Sequence, residues 1–176
     1  MKSQVRANRH VLIVMLDLGG SRYGTGVSQV YRSLPLDNLT WLPQAPHPVR
    51  GSVSLMGRVI PVFEAHQFLG QPPATPADES RVVVLGAGQR CFGLLVDAVA
   101  GLIAVPVEDV LPQPGPGPVY AIARADWQVS LLDLPELLAL LVQKAGGWPS
   151  PRALQQWTAR RPAEGQELVM AGNRGG

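Results

Sequence analysis

The sequence predicts a mostly β fold closed by one C-terminal helix. Three observations carry that prediction. Apolar, β-branched runs are short, and the 19 glycines and 17 prolines fall between them rather than in one block. A single leucine-rich segment near the C-terminus carries helix-start and helix-stop residues. The chain has 176 residues and is 46% hydrophobic, enough for one domain with tails and a real core.

The segments 11–17 and 22–25 read as a strand pair around Gly19-Gly20-Ser21. Residues 27–32 read as a helical turn, with Val27, Val30 and Tyr31 at i, i+3 and i+4. A proline-set connection, 42–48, leads into the most informative stretch, 49–64. Val53 and Leu55, then Val59, Ile60, Val62 and Phe63, have the composition of two strands. Gly57-Arg58 reads as a two-residue loop of type II′, with Met56 beside the turn. Pro61 lacks an N–H, which predicts an edge position or a bulge for the second strand.

The loop 71–78, rich in proline and alanine, divides the body near its middle. Beyond it come a strand at 81–85, a Gly86-Ala87-Gly88 turn, and an apolar run from 91 to 105 broken at Asp97 and Gly101. Shorter strands are expected at 107–111 and 119–123, around a Pro/Gly loop at 112–118. A strand at 129–132 leads into the helix. Asp133 is its N-cap, Glu136 completes a capping box and Pro135 lies in the first turn. Six apolar residues, Leu134, Leu137, Leu138, Leu140, Leu141 and Val142, predict a largely buried helix that Gly146-Gly147 ends. Residues 143–176 read as a mobile Gly/Pro/Arg-rich tail, with Leu154 and Trp157 able to share one side of a short helical turn.

Charge sits at the ends. Residues 1–9 carry +3 and residues 143–176 carry +3, so the body between holds −4. A nucleic-acid module concentrates positive charge on its folded face, and this pattern argues against one. The apolar run at 11–16 is too short for a signal peptide and Asp17 ends it, so a first strand is the better reading. No run approaches the roughly 18 apolar residues of a membrane span, and a cytoplasmic protein is expected.

No motif carries catalysis. Val82 to Gly88 mimics the opening of a dinucleotide fingerprint, but the third glycine position holds Cys91 and a strand follows, so a hairpin is expected. Gly19 to Gly24 lacks the Gly-Lys-Ser/Thr of a P-loop, and no Gly-x-Ser-x-Gly elbow occurs. His10, His47 and His66 show no metal-ligand spacing and read as surface or loop histidines. Glu108-Asp109 would point to opposite sides of a strand. Cys91, the one cysteine, reads as a small buried residue in a strand, with no disulfide framework.

Several blocks, in order, resemble the CheW family of chemotaxis coupling proteins. They are Leu18-Gly19-Gly20-Ser21-Arg22-Tyr23 with Val27 and Val30, Leu42-Pro43 to Pro46, Val49 to Val62, Gly93-Leu94-Leu95-Val96-Asp97-Ala98-Val99, and the 129–138 strand-into-helix. The resemblance spans 10–142, leaving 1–9 as a basic extension. It implies two intertwined, SH3-like five-stranded β-barrels with a C-terminal helix. It also implies a non-enzymatic adaptor without cofactor or metal, cytoplasmic and recruited to membrane receptor arrays without inserting into the membrane. Its partners would be a methyl-accepting chemoreceptor's cytoplasmic tip and the regulatory domain of a CheA-type histidine kinase. One groove would hold the receptor helices while an exposed barrel edge pairs with the kinase. The residues that the resemblance assigns to partner binding are Val30, Arg50, Gly51, Met56, Gly57 and Arg58.

Two departures bear on that role. The family hairpin usually reads Asn-Leu-Arg-Gly, whereas here it is Ser54-Leu55-Met56-Gly57. Phe63-Glu64 stands where Val-Asp is commoner. Loss of a charge at a contact centre shifts partner choice, which points to a divergent coupler in a surface-sensing, twitching or cyclic-dinucleotide pathway. A receptor-binding competitor without kinase coupling is the alternative, and a ligand-binding β-barrel the remote one.

Overall fold

The computed structural model describes residues 9–113, 117–124 and 127–159. Among these residues, twelve strands form two sheets of six. The first sheet uses both ends of the described chain: β1 (His10–Leu18), β2 (Ser21–Gly26), β9 (Ala98–Pro106), β10 (Val110–Pro112), β11 (Val119–Arg124) and β12 (Gln128–Leu132), in the order β10-β11-β12-β2-β1-β9. The second is continuous: β3 (Val30–Pro35), β4 (Thr40–Trp41), β5 (Val49–Leu55), β6 (Arg58–Glu64), β7 (Arg81–Ala87) and β8 (Arg90–Val96), in the order β3-β7-β8-β6-β5-β4. Each sheet has five long strands and one short edge strand: β10 of three residues, β4 of two. The mostly β fold class of two interleaved five-stranded units and a C-terminal helix is as expected.

Strand alternation explains how the core divides. Side chains of one strand point to opposite faces, so a strand buried on both faces feeds two cores. Val82 and Val84 of β7 enter the interior of the second sheet with Leu34, Leu39, Val53, Ile60, Val62 and Leu95. Val83 and Leu85 face a seam shared with Leu16, Leu18, Phe63, Phe92 and Leu94. Ile13 and Met15 of β1 line the interior of the first sheet with Val105, Ala121, Ala123, Val129 and Leu131. The seam is the largest cluster, and helix α1 (Leu134–Lys144) adds Leu134, Leu137, Leu138 and Leu141 to it.

Several expectations are corrected. The 71–80 loop joins β6 to β7 inside the second sheet. The chain passes between sheets at the 3-10 turn Val27–Gln29 and at Asp97. Residues 27–32 are that turn followed by β3, because Val30 and Arg32 are drawn into pairing with β7, with Tyr31 left out of the register between them. Glu108 and Asp109 lie in a 3-10 turn, Val107–Asp109, rather than in a strand. Pro61 lies in an interior strand, since β6 runs between β5 and β8. It is tolerated one residue before the parallel pairing with β8 begins at Val62. The β7 strand runs through Gly86-Ala87, so the expected hairpin closes at Gly88 and Gln89. Cys91 lies in β8, only partly buried, against the second sheet's interior.

Asp133 caps α1 by accepting the Glu136 N–H at 3.1 Å. The Glu136 carboxylate instead accepts the Gly117 N–H, so the capping box is half formed. The helix ends at Gly146 and Gly147, both with positive φ. The segment expected to be a mobile tail begins inside α1. A second helix, α2 (Pro151–Ala159), follows, with Leu154 buried. Trp148 packs on Phe63 (ring centroids 6.3 Å apart) and under the Arg90 guanidinium at 4.5 Å, and Trp157 also packs against the seam. Residues 160–176 and 1–8 lie outside the described residues.

Candidate partner-binding surface

The hairpin of β5 and β6 holds five of the six expected residues, with Met56, Gly57 and Arg58 at one end and Arg50 and Gly51 at the other. Leu55 pairs with Arg58, so the two-residue loop is Met56-Gly57, one position earlier than the sequence suggests. Both residues have positive φ, 49° and 75°, which makes the turn type I′. Met56 is 91% exposed at its tip. Arg58 is exposed, and Val59 beyond it is also mostly exposed.

Arg50 and Gly51 lie about 20 Å from the tip at the usual strand rise. The Arg50 guanidinium sits 3.4 Å from the Glu64 carboxylate and 5.7 Å from the Trp41 ring centroid. Glu64 is buried, and its other oxygen accepts the Ala74 N–H at 2.7 Å. A buried carboxylate needs such partners, and here they tie the hairpin base to the 71–80 loop. Gly51 is required by crowding: a Cβ there would run into the Thr40 carbonyl and the Leu39 side chain. Val30 lies elsewhere, at the start of β3, the opposite edge strand in the sheet order, half-buried against the seam. The six residues therefore do not form one patch. They occupy a hairpin tip, a hairpin base and a separate strand edge.

The sequence reading missed the groups that fix these parts. Glu64 continues a strand buried on both faces, a signal that its carboxylate would be enclosed and paired. His66 was expected on the surface but is fully buried, because the 3-10 turn His66–Leu69 packs between the sheets. Its Nε2 lies 2.9 Å from Asp97 Oδ1, and the other Asp97 oxygen accepts the Gly19 N–H at 2.6 Å. Gln71 donates to Ser21 Oγ and the Tyr23 hydroxyl, both at 3.0 Å. These bonds clasp the two sheets at the β1–β2 turn. Nothing in the spacing of residues 66 and 97 announces them.

Beside the clasp lies an open cleft of about 650 Å³, lined by Asp17, Gly20, Arg22, Glu79, Asp97 and Trp127 among others. Arg22 donates to Asp17 at 2.7 and 3.1 Å and stacks 5.7 Å from the Trp127 ring centroid. Its hydrogen bond and charge pairing with Asp17 raise the guanidinium's pKa above its ordinary value. Among the described residues, no group of three His, Cys, Asp or Glu is placed to hold a metal ion.

Comparison with known proteins bears on this architecture. The CheW-like domain matches residues 12–142. The chain is 26% identical over 130 residues to chemotaxis protein CheW of Klebsiella aerogenes, covering 73% of this chain and 76% of that protein. It is 30% identical over 136 residues to protein FrzA of Myxococcus xanthus, covering 73% and 85%. The crystal structure of scaffolding protein TtCheW from Thermoanaerobacter tengcongensis superposes with a TM-score of 0.67 at 24% identity, over 73% of this chain and 92% of that one. That likeness extends to the fold. With a match across both sheets and into α1, the chain belongs to the CheW-like domain family.

Proposed function

We propose that the protein is a non-enzymatic adaptor that links chemoreceptor cytoplasmic tips to the regulatory domain of a CheA-type histidine kinase. The observation that carries this reading is the family match across both sheets, on a body whose candidate contact residues fall on separate surfaces. An adaptor needs two contact regions that do not exclude each other. The exposed hairpin tip and the β3 edge at Val30 supply candidates, with the Glu64–Arg50 contact holding the hairpin's base. Receptor state would reach the kinase through the relative geometry of these surfaces. No helix among the described residues is long and apolar enough to cross a membrane. Cytoplasmic placement with recruitment to receptor arrays is part of the proposal.

Met56 at the usual arginine position supports a divergent coupler, serving a surface-sensing or twitching pathway rather than flagellar steering. NMR titration tests the reading, with the receptor signalling-tip fragment and the kinase regulatory domain added separately. Shifts in two distinct patches are expected, one at the Met56 hairpin tip and one along the β3 edge around Val30. Binding to the receptor fragment alone would favour a competitor without kinase coupling.

A further inference from the structure

Among the described residues, Met56 is the most exposed large apolar side chain. Its backbone is in the left-handed region, φ 49°, which disfavours an L side chain and which Asn, Asp or Gly adopts more readily. A side chain that is 91% exposed contributes little to packing. Neither turn geometry nor core stability therefore accounts for a methionine at this position. An unbranched thioether with several rotatable bonds, projecting from a narrow tip, suits insertion into a hole between side chains. Val59 extends the apolar contact, and Arg58, exposed beside the turn, favours an acidic rim around such a hole.

We propose that Met56 is a redox-sensitive docking residue. Its thioether seats between the two helices of a chemoreceptor tip, in an apolar hole with an acidic side chain facing Arg58, and oxidation to the sulfoxide releases it. This rests on the adaptor reading and names the contact and its control. The oxidant is a peroxide. A sulfur lone pair attacks one oxygen of hydrogen peroxide, the O–O bond breaks as the S–O bond forms, and the displaced oxygen leaves as water after proton transfer. Sulfur loses two electrons and the peroxide is reduced. The product is polar where the hole is apolar. Met15 is 5% exposed inside the first sheet and is shielded, so among the described methionines the reaction falls on Met56.

The test uses the full chain, exposed to hydrogen peroxide and then to catalase, with peptide mass mapping to locate the added oxygen. Binding is titrated against a soluble signalling-tip fragment of a chemoreceptor from the same organism. Oxidation and Met56→Gln should each weaken binding about tenfold, the effect of losing one central contact. Met56→Leu should bind like the unmodified chain and lose its peroxide response. Unchanged binding by Met56→Gln, or an equal peroxide loss in Met56→Leu, would overturn the proposal while leaving the adaptor reading intact. Failure of the unmodified chain to bind the fragment would overturn both.

Discussion

The two sheets share one local design but are built from the chain differently. In each, a 3-10 turn (Val27–Gln29 or Val107–Asp109) precedes an edge strand, and one parallel strand pair joins otherwise antiparallel neighbours. Each parallel pair contains a crowded glycine: Gly24 opposite Leu131 in the first sheet, Gly93 opposite Val62 in the second. A Cβ at Gly24 would lie 2.6 Å from Ile13 Cγ2, and one at Gly93 would lie 2.7 Å from Val62 Cγ2. Yet the second sheet is one continuous stretch, whereas the first must bring β1 and β2 to β9–β12 across it. The lesson is that the spatial unit and the sequence unit differ. The two sheets should therefore fold as one body, because neither the first sheet nor the seam is complete until both ends of this stretch of chain have met.

The largest effect should come from the seam that both sheets share. Phe63→Ala removes a fully buried ring packed on Phe92 and Trp148 and should cost about 3–5 kcal/mol. Denaturant unfolding should show a single transition moved to lower midpoint, with Trp41 of the second sheet and Trp127 beside the first reporting it together. Two separated transitions would mean the sheets are independent. Next come the paired glycines. Gly24→Ala and Gly93→Ala should each destabilise by about 1–3 kcal/mol through overpacking, by similar amounts. A neutral result at one position alone would break the local equivalence of the sheets. The smallest effect belongs to Arg22→Gln, since the Arg22–Asp17 pair is exposed to solvent. Its thermal midpoint should match the parent's within scatter, and a clear drop would give the cleft a structural role that its exposure does not suggest.

Much of the fold is legible because its signals are local. Alternation and turn residues expose the hairpins at 11–25, 49–64 and 81–96, and Asp133 marks the start of α1. The misses have physical causes. The hairpin turn is displaced by one residue because a pattern reading assigns positive φ to glycine, while Met56 adopts it here. The packing of α2 depends on Trp157, and on Trp148 just before the helix, finding the seam, an apolar surface assembled from distant strands. His66 is buried where its ring meets a carboxylate 31 positions away, a contact no local pattern announces. At the candidate site, the family pattern supplied Arg50, Gly51 and the tip. It did not supply Glu64 as the partner that holds Arg50, nor the separation of Val30 from the hairpin.

The central claim is that this chain bridges two partners at once. Analytical ultracentrifugation of the full protein, mixed with a receptor signalling-tip fragment and a kinase regulatory domain, tests it most directly. The account predicts one sedimenting species containing all three, absent when this chain is left out. Displacement of one partner by the other, with only binary complexes at every ratio, would contradict it.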